Sequence, residues 1–304
     1  IGSSITPDAR LPVQIHAEDD HAVNRMWLEL LVDGQPTRGI SIPGINANAI
    51  ADAELEVDFI DLSTEETDPL MIKPGQRISL QSRAEDKYDL TSEPRVGSGR
   101  IITLDVVTGD QLLDELAREE TNLRRTFERV IEKSVQVRDR LSAVSPDEEN
   151  AAGDSLQSAR ISLARTVDDV HQVTEESLGI ASGFQLIHDQ LINNRVGDEE
   201  LKSRLRDRIA QPLRSLAENE LRLLATAIND TGQQGRVTNR EVEQLGGRMS
   251  GIIDQMQIVL AEMKSLETYS EVVSMLRKLI QEQQNLTEKT RQEQRQQLRT
   301  FLDE

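Results

Sequence analysis

The stretch from Leu156 to Leu191 constrains this chain more than any other. Apolar or small residues recur there at alternating steps of three and four: Leu156, Ala159, Leu163, Thr166, Val170, Val173, Ser177, Ile180, Phe184, Ile187 and Leu191. That is five consecutive heptads of an a/d seam, the pattern of a helix that lays one stripe against partner helices of the same period. Such a helix draws most of its stability from packing rather than from intrinsic propensity. The flanking segments must therefore supply the partners.

They carry the same period. Thr108 and Gln111 fit a capping box, and a seam follows through Leu116, Glu120, Leu123, Phe127, Val130, Ser134, Val137, Leu141 and Val144. Ser145, Pro146 and Glu148 read as the cap, first turn and return bond of the next helix. Gly197 and Asp198 mark the end of that helix and the cap of a third. Pro212 lies inside the third helix and predicts a kink. Thr238 and Glu241 open a fourth, with Val242, Leu245, Met249, Ile252, Met256, Val259, Met263 and Leu266 on its seam. Thr268 to Glu271 reads as one more cap, or as helix that continues. The expected helices are 110–144, 146–195, 198–229, 238–266 and 268–303, with the central one on the order of 70 Å long. Together they make an elongated antiparallel bundle or coiled coil over 109–304. Intra-chain bundling and oligomeric pairing share one pattern, so both stay open.

Residues 1–108 follow a period of two. Leu11, Val13, Ile15 and Ala17 alternate with polar residues. Met26 to Val32 is a second run, closed by the tight-turn pair Asp33-Gly34. Strands are expected again at 37–42, 54–62, 77–84 and 100–107, with Phe59 on the second of these four and Trp27 as a core anchor. Short strands at this spacing predict an antiparallel β-sandwich. The fold class is thus α+β with two domains.

Two strand ends look alike. Ala17-Glu18-Asp19-Asp20 and Ala84-Glu85-Asp86 both place carboxylates where a strand turns. Glu18, Asp19, Asp20, Glu85 and Asp86 are the candidates for a hard cation such as Ca²⁺, and His16, Asp19 and His21 for zinc. The ligand count is low and the spacing short. Acidic residues are also common at turns, so no metal or cofactor is assigned. His171 and His188 lack the Glu-x-x-His pairing of a bundle metal site.

The Ala17 to Val23 turn, the Lys73-Pro74-Gly75 lead into a strand, and the Arg83-Ala84-Glu85-Asp86 strand end carry a resemblance. They look like an immunoglobulin-like module found in large, uncharacterised bacterial envelope proteins of planctomycete type. In those proteins the module stands outside a membrane anchor and runs into long helical coiled-coil segments. The resemblance implies an immunoglobulin-like sandwich over 1–108 and an extracytoplasmic, membrane-anchored parent. It supplies no catalytic residues. The two cysteines and corner tyrosine of antibody-type domains are missing here.

Charge narrows the function. The net charge is -19 over 304 residues, with no cysteine and seven aromatics. An acidic chain does not favour phosphate backbones, so nucleic acid is not expected. Without a thiol, thiolate chemistry and Cys-ligated zinc are ruled out. No apolar run reaches 18 residues, so no membrane insertion is expected. The start at Ile1 without a leader pattern reads as a piece or processed form of a longer protein. The reading is a non-catalytic structural or interaction module whose partner is another protein or a second copy; the alternatives are a metal-dependent binder or enzyme that uses the acidic strand-end turns, or a cytoplasmic coiled-coil scaffold. Beyond Leu286 the last helix turns polar until Leu298, Phe301 and Leu302. Those four residues are the expected interaction positions.

Overall fold

Met26, Leu28 and Leu30 are buried, while Arg25, Trp27 and Glu29 point to the other side of the same strand. This alternation sets the orientation of the whole sheet, because successive strand side chains face opposite ways. The computed structural model describes residues 2–45, 48–87, 95–144, 153–234 and 237–302. The chain divides into two compact units: Ile1–Glu119 with Gly183–Arg206, and Glu120–Ser182 with Asp207–Glu304.

The first unit is built on one seven-stranded mixed sheet. Its strands are β1 (Ser4–Ile5), β2 (Arg10–Val32), β3 (Gln35–Ser41), β4 (Asn48–Asp58), β5 (Arg77–Asp86), β6 (Val96–Ser98) and β7 (Ile102–Val106). The order is β1-β7-β5-β2-β3, with β4 also on β2 and β6 on β5. All pairings are antiparallel except β1 with β7. The two strands expected at 11–17 and 26–32 are one 23-residue strand. Its first half pairs with β4 and its second half with β3 and β5. The hairpin at Asp33-Gly34 forms as read, with φ of 51° and 79° at its two central residues. That is the left-handed pair a type I′ turn requires.

Two expectations fail here. Trp27 is only half-buried and lies outside the core. Its ring takes the Arg25 guanidinium at 5.1 Å, a cation–π contact, on the face where Arg83 pairs with Glu29. The core is Ile5, Leu11, Met26, Leu28, Leu30, Ile78, Leu104, Val106 and their neighbours. Phe59 belongs to this core but not to a strand. β4 stops at Asp58, whose carboxylate accepts a bond from the Ile60 N–H and caps the short helix α1 (Phe59–Thr64).

The first unit also holds the end of a long helix. Among the helices are α2 (Gly109–Ala143) and α3 (Gly153–Asn193), and residues just past α3 bond to the sheet. The Thr6 N–H donates to Asn194 Oδ1 at 2.7 Å and the Thr6 hydroxyl to the Asn194 carbonyl at 2.9 Å. Arg195, at φ 53°, donates to the Asp8 carbonyl and the Asp58 carboxylate. That guanidinium, with the Ile60 N–H, holds the Asp58 carboxyl below its ordinary range. Asn194→Ala leaves the buried Thr6 N–H unpaired and is expected to cost about 2 kcal/mol. A fall in melting temperature checks this; an unchanged melt contradicts the clasp.

The second unit is helical. Every described member of the central seam from Ala159 to Ile180 is buried. The polar members are tied back along the helix. The Thr166 hydroxyl donates to the Ser162 carbonyl, and on α2 the Ser134 hydroxyl donates to Val130. Both boxes close as read. Thr108 N–H meets Gln111 Oε1 at 3.0 Å, and Thr238 N–H meets Glu241 Oε2 at 2.9 Å. Asp198 caps α4 (Glu199–Ser203) through the Leu201 N–H. The Ser145-Pro146-Glu148 start lies outside the described residues.

Around Pro212 the helix changes its winding. The proline's missing N–H and its ring disturb the preceding turn. The chain runs through π-helix at Arg204–Ala210, α5 (Gln211–Ser215), π-helix again at Leu216–Leu221, and α6 (Arg222–Gln233). The last two expected helices are one, α7 (Asn239–Leu302), 64 residues long. Thr268, Tyr269 and Ser270 each cost only a few tenths of a kcal/mol in a helix, and no Gly or Pro stands nearby to break it.

Candidate functional site

The pairing of β2 with β5 places the two acidic strand ends side by side. Val23 lies opposite Asp86 and Arg25 opposite Glu85, with a register break between Val23 and Arg25. On the β4 side the register also breaks between Glu18 and Val23. There Ala22 takes φ 70° and its carbonyl accepts the Lys87 N–H at 2.9 Å. The extra residues of this bulge turn Asp19, Asp20 and His21 out of the ladder.

The result is a cavity of about 430 Å³ lined by all five candidate carboxylates, Glu18, Asp19, Asp20, Glu85 and Asp86, together with His21 and Arg95. Sequence spacing named these residues; only strand pairing brings them to one place. Within the cavity Asp19, Asp20 and His21 hold their ligand atoms within 4.8 Å of one another. Asp19 accepts the His21 N–H at 2.8 Å, and His21 Nδ1 stands 2.7 Å from Asp20 Oδ1. Glu85 accepts from the Asn24 amide, and Asp86 is buried. His16 is not part of this group. It lies opposite Asp52 on β4, and Nδ1 is 2.7 Å from that carboxylate, which raises the imidazole pKa. His16, Asp19 and His21 therefore do not come together as one group; Asp19, Asp20 and His21 do.

Three ligands fall short of the six to eight oxygens Ca²⁺ prefers, but they match the protein share of an open site completed by water.

A second feature lies on α7. Leu286, one of the expected interaction positions, is exposed, and so are Met275, Leu276, Leu279 and Ile280, at 53–66 %. The side chains of Leu298, Phe301 and Leu302 lie outside the described residues. The stripe was visible in the sequence as apolar spacing; what the sequence lacked was any sign that the bundle leaves it uncovered. Large apolar side chains exposed together mark interaction surfaces. Among the described residues no helix is long and apolar enough to cross a membrane.

The chain was compared with protein-family models, with curated proteins and with solved structures, and none of them matches it.

Proposed function

We propose that this chain is a non-catalytic structural and protein-interaction module. In this reading an immunoglobulin-like β-unit is carried on a coiled-coil stalk, in the extracytoplasmic part of a membrane-anchored bacterial envelope protein. The observation that carries the interaction role is the exposed stripe Met275, Leu276, Leu279, Ile280 and Leu286 on α7, beyond the buried seam that ends at Met263. Burying such side chains is favourable by roughly 1.5–3 kcal/mol each, so a partner surface is the economical place for them. The double variant Leu279→Gln with Leu286→Gln tests this. Circular dichroism and melting should stay as in the parent chain, while the complex isolated from the cell of origin is lost. A lower melting temperature would make the stripe structural, and an intact complex would end the reading.

Cation binding is a second reading, favoured by the meeting of both acidic strand ends around one cavity. Binding to the native state raises the melting temperature. Millimolar Zn²⁺ or Ca²⁺ should then raise it by a few degrees, and Asp19→Asn with Asp20→Asn should erase the rise. An unshifted melt removes this reading.

A further inference from the structure

β4 carries an open edge. Among the described residues it pairs with β2 alone. The Phe59 N–H donates to the Ala9 carbonyl at 3.0 Å, one step beyond the opposed residues Arg10 and Asp58. Bonded and non-bonded pairs alternate along an antiparallel ladder. Val57, Leu55, Ala53 and Ala51 therefore bond to β2, and the backbone groups of Glu56, Glu54, Asp52 and Ile50 point away from it. Pro12 stands opposite Glu56 and agrees with this phase, because it has no N–H to give. Among the described residues no hydrogen bond reaches those four outward N–H groups and carbonyls. Proline blunts the free edges of β2 and β3, at Pro12 and Pro36. β4 has no proline, and its register on β2 is regular from Ile50 to Asp58.

Charge states what this edge admits. Asp52, Glu54 and Glu56 are exposed on one face of β4, and Glu18 joins them from β2. From the β2 side Arg10 lies 2.5 Å from Glu56 and His16 2.7 Å from Asp52, while Glu54 accepts only from the neutral Gln14 amide. Four carboxylates outnumber these two bases, so the face stays acidic. Two β4 edges laid together would set acid against acid, which destabilises a ladder. A strand with Lys or Arg at every second position would set its cations beside the carboxylates, since residues opposed in a ladder share a face. Its intervening side chains would fall beside Ala53 and Leu55, which pack on the core yet are only half-buried. Apolar residues gain most there.

We infer that the free edge of β4 accepts, as an added strand, an extended segment of another protein in which Lys or Arg alternates with apolar residues. This surface is distinct from the α7 stripe, and neither reading needs the other. The test uses the full chain and three synthetic peptides as long as β4: alternating Lys and Val, alternating Glu and Val, and the Lys and Val of the first rearranged into two blocks. Fluorescence anisotropy should show the alternating Lys peptide binding at least about tenfold tighter than either other. Equal binding of the block peptide would reduce the effect to net charge, and equal binding of the Glu peptide would remove the basic partner; either overturns the inference. Glu54→Pro removes an outward donor and leaves the β2 bonds in place, so it should abolish the preference. Asp52→Lys with Glu54→Lys should hand the preference to the Glu peptide. A preference untouched by both variants overturns the site. Amide exchange followed by NMR reads the edge directly. In the free chain Ala53 and Leu55 should exchange slowly and Asp52, Glu54 and Glu56 fast, and the Lys peptide should slow those three. Slow exchange of the three in the free chain, or fast exchange with peptide bound, overturns the inference. Dimerisation that Glu54→Pro abolishes would replace the inferred occupant with a second copy.

Discussion

Val170→Asp is expected to unfold the helical unit. Val170 is fully buried at the middle of the central seam, between Thr166 and Val173, which are also buried. A carboxylate there has lost its water, and among the groups bonded nearby the Thr174 hydroxyl already donates to the Val170 carbonyl. Burying an unpaired charge costs on the order of 5 kcal/mol, comparable to the whole stability of a domain. The checking measurement is urea melting followed by helical circular dichroism. His171→Asp serves as the control, one residue along but exposed, and should change stability by less than about 0.5 kcal/mol. Equal effects at the two positions would contradict the seam.

The second large effect concerns pH. Glu120 occupies an a/d position of α2 and is buried, and the loss of water there pushes its carboxyl up to about 7 from an ordinary 4.5. Below about pH 4.5 the folded and unfolded chains both hold this proton, and the burial of Glu120 is not penalised. Between 4.5 and 7 the folded chain keeps the proton that the unfolded chain has released. Stability therefore falls as pH rises through this window, by about 3 kcal/mol at its upper end. Glu119 is shifted in the same direction by burial and by the neighbouring Glu115. Asp58 and Glu241 are shifted the other way, so the informative quantity is a difference. Glu120→Gln keeps the shape of the side chain and removes the charge. Its stability relative to the parent chain should grow from pH 4.5 to 7 and then level off. A constant difference across that range would show that Glu120 is ionised in the fold.

Much of the helical region was legible because helices write their burial into the sequence. The steps of three and four from Ala159 to Leu191 match the buried residues, and the boxes at Thr108 and Thr238 sit at helix starts. What failed involved partners far away in sequence or small energy differences. Trp27 was read as core by its residue type, but strand parity is set by Met26, Leu28 and Leu30, which leave it on the opposite face. The sequence leaves a cap and a continuing helix both open near Thr268, and a break would need more than the few tenths of a kcal/mol per residue available there. The clasp between Thr6 and Asn194 joins residues 188 apart, and no local pattern announces it. The same holds for the cavity: its carboxylates stood out in the sequence, but only the register of β2 on β5 places them together.

The central claim is that the exposed face of α7 is a protein-docking surface. The most direct measurement places a photo-crosslinking residue at position 279, within the stripe, or at Glu288, roughly opposite it, in the protein within its own cell. Position 279 should yield one discrete protein adduct and position 288 none. Adducts of equal yield from both positions, or from neither, would contradict the claim.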